Sequence, residues 1–185
     1  MLSLNRHTRR FARAASLLVA STALGAAGAQ ATETAYQPLV LTAYSNAVGG
    51  ANLLDRKYED ALAEIRRYKP QDSMAAAAKA NNLCVALTAT RQLVEARAAC
   101  TAALSAAKQE KLSARFTGGL SDNTEIAIAY SNRAVAHALS RDMASAKADL
   151  ERAQLLAPKA EYVSRNLAAA PFARNAIAQL DLAVR

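Results

Sequence analysis

The stretch Tyr130–Pro158, YSNRAVAHALSRDMASAKADLERAQLLAP, decides the fold. Within it Ala134 is followed 12 residues later by Ala146, 4 residues after that by Leu150, and 3 residues further on by Ala153. Strong helix formers fill both halves, Ser140-Arg141-Asp142 divides them, and proline ends the second half. Small residues at facing positions let two antiparallel helices approach closely, while larger apolar residues one turn away fill the flanks. The stretch therefore reads as a helical hairpin.

The same offsets occur twice upstream. Gly49 leads to Ala61, Ile65 and Tyr68, and Cys84 leads to Ala96, Cys100 and Ala103. Val48, Leu83 and Arg133 precede the small starting positions, and Asn52, Leu87 and His137 follow them by three. The dividing turns also correspond: Asp55-Arg56-Lys57-Tyr58, Thr90-Arg91-Gln92-Leu93 and Ser140-Arg141-Asp142-Met143. Pro38, Pro70, Pro158 and Pro171 fall between periodic segments, and no run alternates β-branched residues, so the expected class is all-α.

These residues resemble the tetratricopeptide repeat, a helical hairpin of about 34 residues with small residues at fixed places and a closing proline. Tyr130, Ala134, His137, Ala146, Leu150, Ala153 and Pro158 keep that family's spacing, with Arg133 where leucine is usual, and Asn132 and Asp142 also match its preferences. The resemblance covers 42–158 and implies a short α-solenoid of about three hairpins, with units near 42–70, 77–107 and 127–158, inside a domain spanning 32–170. Glu161–Ala169, within 159–170, has the length and polarity of a capping helix. Residues 171–185 are expected as a short helix with Phe172, Ile177, Leu180 and Val184 on one face, or as a tail. Ala96 and Ala146 are 50 residues apart rather than 34, which places an insertion between Lys108 and Glu125. Lys108, Lys111 and Arg115 should prolong the preceding helix, Gly118-Gly119 release it, and Ser121 or Asp122 cap the next.

In the family the first helix of each hairpin lines a concave groove for extended peptides or partner helices. The resemblance implies that Asn46, Asn81 and Ser131, then Gly50, Val85 and Val135, line that groove here, with Leu53, Thr88 and Ala138 a turn further. Members that clamp a C-terminal carboxylate use lysines where this chain has Asn46, Asn81 and Ser131, so no such clamp is expected.

The N-terminus carries an address. Arg6, Arg9, Arg10 and Arg13 precede the apolar stretch Ala14–Gly28, and Ala29-Gln30-Ala31 supplies small residues for cleavage after Ala31. The expectation is a signal peptide over 1–31 and a periplasmic product. The rival is an uncleaved helix tethering a structural envelope protein, the only case in which a membrane would be a partner. Four of the 23 basic residues and none of the 15 acidic ones lie in 1–31, so removing it takes the formal charge from +8 to +4. No arginine cluster or aromatic platform remains, which argues against nucleic acid.

Cys84 and Cys100 are the two cysteines, and the repeat register puts both on the inner faces of one hairpin. In an oxidising compartment they are expected to form a disulfide; the alternative is two buried thiols acting as small apolar side chains. No histidine or further cysteine completes a metal-ligand set, and no cofactor is expected. His137 stands where the repeat places a packed residue, and Glu59, Asp60 and Glu64 share helix surface with Arg56, Lys57 and Arg67 as solvated pairs. No phosphate loop or nucleophile elbow is present. The functional expectation is a non-catalytic interaction module whose partner is another protein or an extended peptide.

Overall fold

The computed structural model describes residues 38–116, 123–170 and 180–184, all within one compact unit, Ala35–Arg185. The expected signal peptide and its cleavage point, Gly118-Gly119, Ser121, Asp122, Phe172 and Ile177 lie outside the described residues, as do the side chains of Arg115, Leu180 and Val184. Among the described residues the order is β1 (Leu39–Ala43), α1 (Gly50–Leu54), α2 (Tyr58–Arg67), α3 (Ser73–Ala89), α4 (Leu93–Phe116), α5 (Thr124–Leu139), α6 (Met143–Leu156), α7 (Glu161–Ala169) and β2 (Leu180–Val184). Helix dominates, so the chain is all-α in class.

Each recurring small residue sits where two helices cross. Ala61, Ile65, Cys84, Ala96, Cys100, Ala146 and Ala153 are fully buried, and Ala103, Ala134 and Leu150 nearly so. Gly49 has φ +74°, and a Cβ there would stand 2.6 Å from Cγ1 of Ile65, so both backbone shape and close approach require glycine. The three dividing turns share one geometry. Arg56, Arg91 and Arg141 adopt left-handed conformations with φ 58°, 62° and 64°. In each case the next amide reaches back five residues: Lys57 to Asn52 at 2.8 Å, Gln92 to Leu87 at 3.0 Å, and Asp142 to His137 at 2.9 Å. These bonds satisfy carbonyls that a helix end would leave unpaired.

Asp72 caps α3 by accepting from the Ala75 amide at 2.7 Å, and Asp142 caps α6 by accepting from Ser145 at 3.1 Å. Consecutive helices pack against each other along the chain: α2 on α3, α3 on α4, α4 on α5, α5 on α6 and α6 on α7. The expected prolongation before the insertion is present, since α4 runs 24 residues to Phe116. The residue at the N-cap position of α5 is Asn123, beyond the expected Ser121 or Asp122, and its side chain makes no capping hydrogen bond but accepts from Lys111. The expected capping helix is α7.

Two parts differ from expectation. The first unit was placed from residue 42, but Leu39–Ala43 is a strand, 44–49 a turn, and α1 only five residues long. Val40 and Thr42 are weak helix formers, Pro38 precedes them, and Gly49-Gly50 interrupts the pattern. At the other end, Leu180–Val184 is neither helix nor tail but the parallel partner of β1, with Leu39 opposite Leu180 and Ala43 opposite Val184. Five residues with apolar positions at alternate places satisfy a strand as readily as a helix face. All five residues of β1 are buried, the usual situation of a parallel strand covered on both faces. Its Leu39, Leu41 and Ala43 join Leu53, Val85 and Val135 in the main core.

Candidate functional site

Helices α3, α5 and α7, which pack against β1, each contribute one asparagine: Asn82, Asn132 and Asn166, all fully buried. Each holds the backbone of a single residue of the segment that begins with β1, at every second position. Asn166 accepts from the Val40 amide at 2.6 Å and donates to its carbonyl at 2.8 Å. Asn132 makes the same pair with Thr42, at 2.8 and 2.8 Å, and Asn82 with Tyr44, at 2.9 and 2.9 Å. A primary amide carries one acceptor oxygen and two donor hydrogens, so it can replace a neighbouring strand for one residue. The ladder therefore serves one edge of β1 while β2 serves the other.

Secondary contacts orient the ladder. Asn132 also donates to Asn81 Oδ1 at 3.0 Å, and Asn81 donates to the Thr42 carbonyl at 3.0 Å. Asn166 donates to Ser131 Oγ at 2.9 Å, and Asn82 to the Val48 carbonyl at 3.1 Å. Each amide flip is thus fixed by a network in which both ends have partners.

Of the residues expected to line a partner groove, Asn81, Val85, Ser131 and Val135 are all buried, on the helices α3 and α5 that pack against β1. This part of the groove is filled by the chain's own strand and is closed to an outside ligand. Gly50 is buried against the turn that follows β1, where a Cβ would meet the Tyr44 carbonyl oxygen at 2.3 Å. Asn46 is exposed in that turn rather than on a helix. The ladder asparagines were not singled out as groove residues, although the sequence carries a signal. An asparagine stands two residues before Cys84, Ala134 and Ala168, and Asn132 and Asn166 are 34 apart, one repeat length.

The groove opens where the strand ends. A cavity of about 690 Å³ lies among Tyr44, Asn46, Glu64, Tyr68, Met74 and Ala78. A second, of about 320 Å³, adjoins it against Asn81, Ala107, Glu110 and Ala129. The Tyr44 hydroxyl donates to Glu125 across this opening.

Cys84 and Cys100 are joined, sulfur to sulfur at 2.07 Å, where α3 crosses α4. On α5 and α6 the buried Asp149 receives both Arg133 Nε at 2.7 Å and a terminal guanidinium nitrogen at 2.8 Å. That paired hydrogen bond raises the Arg133 pKa above its ordinary value, against the opposing effect of burial. Lys108 and Arg133 both lie over the Tyr130 ring, at 5.2 and 5.6 Å from its centre. His137 packs beside them, Nδ1 3.2 Å from Asp142 and Nε2 3.9 Å from Asp149. The two-point guanidinium contact on the Asp149 carboxylate ties α5 to α6. Among the described residues no group of three or more histidine, cysteine, aspartate or glutamate side chains is arranged to hold a metal ion, and no helix is long and apolar enough to cross a membrane. No protein-family model, curated protein or solved structure matches this chain.

Proposed function

We propose that this chain is an exported, tetratricopeptide-repeat-like interaction module that works without catalysis and binds another protein along the concave face of its hairpins. The amide ladder carries the reading. Asn82, Asn132 and Asn166 hold backbone N–H and C=O groups without regard to side-chain identity, the chemistry of a receptor for extended polypeptide. The chain's own strand fills the groove over α5 and α7, so the partner takes the remaining stretch beyond Tyr44, bordered by Asn46, Asn81 and Met74. The bonded Cys84–Cys100 pair suits the oxidising periplasm that residues 1–31 address.

The test uses the protein from residue 32 as bait in envelope extract, beside Ala78→Trp, which fills the opening without touching the ladder. A specific protein should be retained by the wild type and lost with Ala78→Trp at unchanged helicity and melting temperature. Equal retention by both would sink the groove reading.

A further inference from the structure

We infer that the opening beyond the end of β1 receives a basic peptide segment anchored by an apolar side chain. This deepens the proposed function and rests on it. The two cavities share Tyr44, Met74, Ala78 and Glu125 and so form one trough, running from the end of α2 across α3 to α4 and α5. Their volumes, about 690 and 320 Å³, lie in the range of ligand sites.

The floor is apolar. Ala75, Ala78, Ala107 and Ala129 leave room, and Met74, with 72% of its surface exposed, offers a flexible thioether that can close over an incoming side chain.

The walls are acidic. Glu64, Asp72, Glu110 and Glu125 line the trough, and among the described residues no lysine, arginine or histidine does. This runs against the average of a chain with formal charge +8. Of the cations adjacent in sequence, Lys79 is held at the trough's edge by the Tyr68 carbonyl, Lys108 lies over the Tyr130 ring and Lys111 donates to the Asn123 side chain. Asn52 donates to Glu64 and the Ala75 amide to Asp72, and these bonds from neutral donors leave the carboxylate charge in place. Carboxylates set around a low-dielectric floor concentrate a negative potential and attract cations. The occupant is a peptide because the trough continues the line of β1, whose backbone the same concave face already holds through side-chain amides.

The probe is a fluorescein-labelled peptide alternating lysine with leucine, titrated by anisotropy against the full chain from residue 32. Its counterparts carry glutamate for lysine, or serine for leucine. Both substitutions should weaken binding by about tenfold or more, and added salt should weaken the lysine peptide further. Glu64→Gln with Glu110→Gln, and separately Ala78→Trp, should each cost about tenfold at unchanged helicity. Failure of the lysine–leucine peptide to bind, or equal affinity for wild type and variants, overturns the proposal. So does displacement by tetraethylammonium at matched concentration, which makes the trough a small-cation site. Concentration-dependent dimerisation lost in the variants assigns it to a second copy and likewise overturns it. If Ala78→Trp abolishes capture of the envelope protein while the glutamine pair changes nothing, the groove reading stands and the basic partner falls. If Ala78→Trp leaves capture intact, both fall.

Discussion

Asn132 shows how much a single side chain carries here. It pairs with both backbone groups of Thr42 and with Asn81, all three sites buried. Asn132→Leu keeps the volume but leaves the Thr42 amide and Asn81 Oδ1 without partners or water, while the Thr42 carbonyl keeps its bond from Asn81, at ~1–3 kcal/mol for each unsatisfied group. We predict a loss of ~3 kcal/mol in urea unfolding, on the scale of that per-group cost. Asn82→Leu should cost less, because Tyr44 is half-buried at the open end and water can replace the amide. Asp142 makes a smaller and pH-dependent contribution. Its hydrogen bonds from Ser145, and then the nearby His137, hold its carboxyl below the ordinary range. A depressed pKa adds stability above the unfolded value near ~3.9, and that stability disappears as pH falls through the lower folded value. Asp142→Asn retains a capping oxygen and removes only the charge. Thermal midpoints of wild type and Asp142→Asn should differ at neutral pH and converge below about pH 3; a constant gap would show that the charge plays no part.

At the scale of the element, Cys84–Cys100 closes one hairpin across a sequence separation of 16. Replacing both cysteines by alanine should lower unfolding free energy by ~3 kcal/mol under the chain-entropy account of loop closure. The hairpin should survive, because Ala96, Ala103 and Leu87 still fill the crossing, so far-ultraviolet circular dichroism should be unchanged at ambient temperature. The helical hairpins were legible in the sequence because their determinants are local. Offsets of 12, 4 and 3 residues report helix crossings, and the arginines in the turns occupy equivalent left-handed positions. The strands were not legible, because nothing within Leu39–Ala43 distinguishes it from a poor first helix. Its partners are Asn132, Asn166 and Leu180–Val184, between 90 and about 140 residues away. Asn81, Val85, Ser131 and Val135 were expected to face a partner, but they are buried, because the strand that packs on their helices could not be read from the sequence. The open trough escaped notice because its carboxylates come from four separate segments.

At the scale of the whole molecule, one strand ties the two ends of the chain to its middle. β1 rests on α3, α5 and α7 and pairs with β2. The two edges of β1 are served by different chemistry, and alternation along a strand separates them residue by residue. The amides of Val40, Thr42 and Tyr44 go to asparagines. Those of Leu41 and Ala43 therefore face β2. Deleting residues 180–185 should accelerate hydrogen exchange at Leu41 and Ala43 while Thr42, held by Asn132, stays protected along with α5 and α6. Exchange rising equally at Leu41 and Thr42 would mean that the strand leaves as a unit once β2 is gone. In that case the ladder alone is too weak to retain a polypeptide, and the reading of this face as a polypeptide receptor would lose its chief support.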